Sequence, residues 1–338
     1  MANSDILLSL IRLSLGTSAG EMDLSVLTES DWKEIIDLSF EQGVAAIAVD
    51  GLQSLYDRQP KLELALDSPE LEPLKYEWFG STFRTEENYV KTVAAAEALA
   101  EKFPIIILKG LSVARKYPIP AHRDSVDLDV FVNENENGNE NLLLKGVKVI
   151  RKDYKHTGFK FQGVMVEYHK SLIGWKSLKN GKHIERTLRE SLGTPDGIYP
   201  NDRFTALFLT VHAYTHFMLE DGISLKHICD WWAAGIRTLP EPEQQWLLEA
   251  VESFGLREFV ESMTRVAEYV CNDPSTALTK TDLRMLEDIL SLGRKKRFKN
   301  GHLNMAYNIL FRNGWKFRAF ARESNLGCLI RCGWNAVC

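Results

Sequence analysis

Apolar side chains recur at helical spacing from residue 4 to about residue 102, as in Leu7, Leu8, Ile11 and Leu15 and again in Trp32, Ile35, Ile36 and Leu38. Ser30 and Asp31 precede one such run as candidate caps, Pro60 and Pro73 interrupt the pattern around a charged loop, and TFRTEENYVKTVAAAEALAEKF then predicts one long helix. At Pro104 the period changes. PIIILKG is a short, β-branched, wholly apolar run between Pro and Gly, the profile of a buried strand, and LSVARKYPIPAH after it reads as a short helix and a Pro-rich turn. Residues 126–132, VDLDVFV, alternate acidic and apolar positions before becoming wholly apolar, which puts Asp127 and Asp129 on one face of a strand. NENENGNEN, residues 133–141, predicts a loop or a frayed helix start. GVKVIRK, HTGFKFQ and VMVEYHK supply three more strands, and from about residue 183 to residue 325 the pattern is helical again, with Pro240 and Pro242 in its clearest break. The expected class is α+β: a helical region over 1–102, a core on a small mixed sheet over 103–182, and a second helical region over 183–338.

Composition narrows the partners. With 45% hydrophobic residues in 338, the chain can fill one large core or two ordinary ones, and a net charge of −5 argues against a surface that grips nucleic acid as a whole. Cys229, Cys271, Cys328, Cys332 and Cys338 are too scattered for a secreted disulfide framework, so reduced thiols and a cytoplasmic location are expected. MANSDILLSLIRLSLG lacks the basic lead and unbroken apolar run of a signal peptide, and no segment reaches the length of a membrane span.

Two carboxylates on one strand face stand about 7 Å apart, near enough to bridge cations that are themselves roughly 3.5–4 Å apart. They repel one another unless a cation lies between them. Mg²⁺ or Mn²⁺ suits such oxygen ligands and can bind a nucleotide's phosphates at the same time. Glu167, set between apolar neighbours in VMVEYHK, is the candidate third acid. Upstream, LKGLS passes from a strand into a helix, where Gly110 lets a phosphate approach the backbone, Lys109 adds charge and Ser112 a hydroxyl. Residues 145–182 carry ten Lys or Arg against two acids, Asp153 and Glu167, a local excess that would attract a polyphosphate. A second basic run, RKKRFK at 294–299, is either a solvated helix end or a contact for nucleic acid or a membrane surface.

The order LKG, a short helix, YPIP, Arg123 four residues ahead of DLDVFV, and later VEYH resembles the uncharacterised bacterial nucleotidyltransferase family of the polymerase-β-like superfamily. That family's pattern reads LKG, then R-x-x-x-D-h-D-h-h-V, then h-D-h-H, with h apolar. The likeness is close over roughly residues 104–170 and looser through ALFLTVHAYTHFMLEDGISLKHICDWW. It implies a nucleotidyltransferase fold and two-metal transfer of a nucleoside monophosphate from an NTP to a hydroxyl acceptor whose identity the sequence leaves open. Asp127, Asp129 and Glu167 would bind two Mg²⁺ or Mn²⁺ ions, Lys109, Gly110, Ser112 and Arg123 the phosphates, and His169, His212, His216 and Asp230 would lie in the substrate cleft. Two positions depart from the pattern: Leu111 replaces a small residue, with Ser112 one place later, and the third acid is Glu rather than Asp.

Other roles stand beside these. Arg123 could pair with Asp124 or Asp127, and His169 could serve packing. His212 and His216, four apart on a helix, could bind zinc with Asp230 or simply line a cleft. Trp231 and Trp232 suit a core better than base stacking. A nucleotide-binding module without catalysis and a toxin-like enzyme acting on RNA ends are the alternative functions. The oligomeric state is not written in the sequence.

Overall fold

The computed structural model describes residues 3–18, 22–59, 62–132, 147–152, 155–174, 178–291, 306–321 and 323–337. The tracts NENENGNEN and RKKRFK lie outside the described residues.

Three helices open the chain, α1 (Asn3–Ser14), α2 (Glu29–Glu41) and α3 (Ala45–Arg58). Thr28, rather than Ser30 or Asp31, caps α2: its hydroxyl accepts from the Asp31 N–H while the Asp31 carboxylate accepts from the Thr28 N–H. α3 crosses α1 so closely that a Cβ on Gly51 would stand 1.9 Å from the Leu10 carbonyl oxygen, so only glycine fits there. The long helix α4 (Glu72–Ala100) begins at Glu72 rather than near Thr82. Pro73 lies in its first turn, where the missing N–H has no intrahelical partner to lose, and so starts the helix that it was expected to break.

β1 (Ile105–Ile107), the short α5 (Leu111–Ala114), β2 (Asp127–Val132), β3 (Val149–Lys152), β4 (His156–Phe161) and β5 (Val164–His169) follow. The five strands form one mixed sheet in the order β1-β2-β5-β4-β3, with β2 and β5 parallel and the other neighbours antiparallel. Alternate side chains of this sheet go to two different places. Leu128, Val130, Val132, Phe159, Val166 and Tyr168 bury against Ala96 and Leu99 of α4. Phe131, on the face that also carries Asp127 and Asp129, joins the larger core built by the remaining helices.

Those helices are α6 (Gly181–Ser191), α7 (Asp202–Leu219), α8 (Leu225–Ala234), α9 (Glu241–Phe254), α10 (Arg257–Cys271), α11 (Lys280–Leu290), α12 (Gly314–Phe320) and α13 (Asn325–Val337). They share their core with the N-terminal helices. The Arg12 guanidinium, buried in α1, donates to the Tyr269 carbonyl at 2.9 Å, and Gln42 Nε2 donates to the Ile289 carbonyl at 3.0 Å. Among the described residues no helix is long and apolar enough to cross a membrane.

Candidate active site

The site is built by strand register. Asp129 and Glu167 are Cα partners across β2 and β5, Asp127 pairs with Met165 and Phe131 with His169. Neighbouring strands lie about 4.8 Å apart, so Asp129 and Glu167 stand side by side, with Asp127 and His169 two residues away along their own strands on the same face. On the far side of β5 the Cα partner of Glu167 is Gly158, which sends no side chain into that face. Ligand atoms of Asp129, Glu167 and His169 come within 4.8 Å of one another, the group among the described residues that could hold a metal ion.

Just past β1, Lys109 reaches back over the acids, its ammonium 2.9 Å from Asp129 Oδ2 and 3.8 Å from Asp127 Oδ2. His169 Nε2 lies 2.8 Å from Asp129 Oδ1, and with that carboxylate ionised the ring nitrogen is the donor. Burial by itself would raise the Asp129 carboxyl, but Lys109 and His169 outweigh it and hold Asp129 well below the usual carboxylate range. Burial would likewise lower the Lys109 ammonium, and Asp129 and Asp127 outweigh that in turn, raising it. Asp127 fares differently: burial first, then the charge of Asp129, push its carboxyl up, with Lys109 offsetting only part. The acid face therefore holds more negative charge than its own cation neutralises. Asp129 Oδ2 is buried, and among the described residues its partner is the Lys109 ammonium, ion-paired to it at 2.9 Å. Two carboxylates and a flanking third, with oxygen atoms turned to one face, fit a hard divalent cation.

The phosphate-binding candidates separate. Gly110 has φ +65 and ψ −105, a conformation that lets the chain turn from β1 into α5. Ser112 sits on that four-residue helix with its Oγ buried and without a hydrogen-bond partner among the described residues. Arg123 is buried and forks onto Asp230, Nε to Oδ1 at 3.0 Å and Nη2 to Oδ2 at 2.5 Å, while Nη1 donates to Ser125 Oγ at 2.6 Å. Tyr117 adds a hydrogen bond to Asp230 Oδ1 at 2.8 Å. Arg123 thus pairs with an acid far along the chain rather than with Asp124 or Asp127.

Asp230 is thereby removed from any zinc set with His212 and His216. His216 Nδ1 pairs with Glu220 at 2.7 Å, and although burial pushes the Glu220 carboxyl up, that bond and nearby cations bring it down to about 2. The rings of His212 and His216 are 4.3 Å apart, and His227 of α8 lies 6.2 Å from the first and 5.9 Å from the second. Burial, then the neighbouring His216 and Lys109, hold His212 well below the ordinary imidazole value, and burial with His216 brings His227 to about 3. Both rings are neutral at physiological pH.

Between the sheet and helices α7 and α8 lies a pocket of about 600 Å³, its open mouth included, lined on one side by Lys109, Gly110 and Asp127 and on the other by His212, Lys226 and His227. Trp231 is buried as expected and closes part of the pocket wall. Sequence reasoning missed Lys226 and His227, and also His156, whose ring meets that of His169 edge to face at 5.5 Å and lies 3.9 Å from Glu167. The HTGFKFQ strand carried a signal for His156, since its period-2 alternation already puts that residue on the face of Gly158; nothing local marked Lys226.

A family model described as "Uncharacterised nucleotidyltransferase" matches residues 28–272, a stretch that contains every site residue named above. No curated protein and no solved structure matches the chain.

Proposed function

The chain belongs to the uncharacterised nucleotidyltransferase family, and from that premise we propose that it transfers a nucleoside monophosphate from an NTP to a hydroxyl acceptor, on a polymerase-β-like site formed by Asp127, Asp129 and Glu167. The observation that carries the reading is the parallel register that sets Asp129 beside Glu167, with ligand atoms of Asp129, Glu167 and His169 all within 4.8 Å of one another.

In the proposed reaction the acceptor oxygen bonds to the α-phosphorus, the bond from that phosphorus to the β-bridging oxygen breaks, and pyrophosphate leaves with the electron pair. Asp127, Asp129 and Glu167 would hold Mg²⁺ or Mn²⁺, in two ions as the spacing of the acids suits. Bound there, the metal supplies charge for the phosphates and acidifies the acceptor hydroxyl. Glu167, partly exposed where Asp129 is buried, takes up the acceptor's proton directly or through water. Lys109 moves its charge from the acids to the phosphates, Gly110 gives them room at the backbone, and Ser112 turns its unpartnered hydroxyl toward them. Arg123 positions: its fork on Asp230 and its bond to Ser125 fix the segment that enters β2. His169 keeps Asp129 ionised and oriented, and His212 and His216 form the helical wall of the cleft.

The test is calorimetric titration with each NTP, with and without Mg²⁺ or Mn²⁺, on the native protein and on the Asp127→Ala, Asp129→Ala double variant. Metal-dependent binding that the variant loses supports the site and identifies the donor. A folded native protein that binds no NTP under any metal condition would sink the reading.

A further inference from the structure

We propose that the pocket between the sheet and α8 is a phosphate subsite whose cationic wall is Lys226 with His227, facing Lys109 across the opening. The inference rests on the transferase reading for its link to chemistry, but its structural grounds are separate. Lys226 and Asp127 line the same pocket, so a group held by Lys226 lies next to the acid face.

The Lys226 side chain makes no hydrogen bond or ion pair among the described residues, although Asp230 shares the pocket with it. Asp230 is consumed by Arg123 and Tyr117. The aliphatic stem of Lys226 runs past Gly43, where a Cβ would meet its Cδ at 3.5 Å and its Cε at 3.6 Å; Gly43 has φ +67, so its place is kept by a residue without a side chain. The stem is thus packed while the ammonium is left to the pocket. Burial, then the Arg123 guanidinium, disfavour the charged form of Lys226; Asp124 and Asp230 act in the opposite sense without outweighing them, and Lys109 adds to the repulsion. An ammonium held in place whose neighbouring carboxylates do not offset its burial and neighbouring cations, and with none in ion-pair contact among the described residues, is a configuration that an anion stabilises.

His227 completes the donor set. Its Nδ1 accepts the Ser224 N–H at 3.2 Å, so the hydrogen of the neutral ring is on Nε2, which is a donor. The backbone amides at the start of α8 do not provide the subsite: Leu225 N–H donates to Gln42 Oε1 at 2.9 Å and Lys226 N–H to the Gln42 carbonyl at 3.3 Å. Side chains carry the recognition, and what they suit is a phosphate group. That phosphate comes either from the donor's triphosphate or from a phosphorylated acceptor.

The probe that separates these is inorganic tripolyphosphate, titrated calorimetrically into the metal-free, full-length protein, beside NTP titrated with Mg²⁺. Native protein binds tripolyphosphate, Lys226→Met binds it at least about tenfold more weakly, and Lys226→Arg restores it. Because Lys226→Met deletes a buried cation that has no ion pair among the described residues, its Tm without ligand should equal or exceed that of the native protein, which separates loss of binding from loss of fold. If Mg²⁺–NTP binding falls in parallel, the subsite holds the donor's phosphates; if it is unchanged while tripolyphosphate binding falls, the subsite holds a phosphorylated acceptor. Tripolyphosphate affinity that is absent in the native protein, or equal in native and Lys226→Met, overturns the subsite. Tripolyphosphate binding that persists where NTP shows no metal dependence would leave the subsite standing and remove the transferase reading instead.

Discussion

Asp129 of β2 and Glu167 of β5 are Cα partners in a parallel strand pair, and the Lys109 ammonium lies 2.9 Å from Asp129. Strand spacing of about 4.8 Å gives the two carboxylates no means of separating except by rotamer, so a cation is what stabilises them together. In Asp129→Asn the ammonium keeps only Asp127, at 3.8 Å. Removing one partner of a fully buried pair costs about 3–5 kcal/mol; Lys109 reaches solvent, so about 1–3 kcal/mol is expected, read from urea denaturation. Loss of an ion ligand should exceed the 10–100-fold that supporting residues typically cost, so Mn²⁺-dependent NTP affinity should fall by at least about 100-fold. Native-like affinity in this variant would remove Asp129 from the metal site.

Lys109 and a divalent cation compete for the same oxygens. At an effective dielectric of about 20, one charge at roughly 4 Å is worth up to about 4 kcal/mol, and screening through the open side of the pocket reduces that. Lys109→Met should therefore bind Mn²⁺ in the absence of nucleotide roughly tenfold more tightly than the native protein while binding NTP more weakly. Electron paramagnetic resonance of free Mn²⁺ reads the first effect and calorimetry the second. Weaker Mn²⁺ binding in Lys109→Met would show that the lysine does not stand in for the ion.

Gly110 tests the turn alone. A Cβ there would meet Ser125 Oγ at 3.5 Å and the Asp127 carbonyl oxygen at 3.6 Å, ordinary contacts, so the penalty of Gly110→Ala comes from φ +65. Such a backbone conformation costs a residue with a side chain about 1–3 kcal/mol. The expected result is a lowered denaturation midpoint together with weaker NTP binding, since the strain relaxes by moving Lys109. A fully stable Gly110→Ala that binds NTP normally would show that neither the turn nor its close approach to phosphate matters.

The legible parts of this chain are those fixed by local periodicity. Alternation in VDLDVFV and VMVEYHK places Asp127, Asp129, Glu167 and His169 on strand faces, and the β-branched run before LKG marks β1. That β2 and β5 would be neighbours, with Asp129 opposite Glu167, depends on which strands pair, and no local pattern states it. The start of α4 was hidden because proline reads alike as a breaker and as a first-turn residue; only packing decides between them. Arg123 and Asp230 are separated by 107 residues and Gln42 and Leu225 by 183, so their contacts arise only once the helices assemble around the sheet. Lys226 was invisible for the same reason, since a lysine near a helix start is normally solvated.

His122 links the N-terminal helices to the segment that enters β2, and it makes stability depend on pH. Its Nδ1 lies 2.8 Å from Asp50 and its Nε2 3.0 Å from Glu86, and the bond with Asp50, then that with Glu86, raise its pKa despite the opposing effect of burial. The imidazolium is thus favoured in the folded state over the unfolded chain, where the ring titrates near about 6.5. A raised folded pKa gives a contribution that is fully present below the unfolded value and disappears as pH rises through the folded value. Urea midpoints measured from about pH 6 to about pH 9 should fall with rising pH in the native protein, and His122→Gln should be less stable at the acid end with that part of the slope gone. Because Arg123 follows directly, the same loosening should weaken NTP binding in parallel with stability over this window. Equal slopes for the native protein and His122→Gln would show that the bridge to Asp50 and Glu86 carries no proton-linked stability.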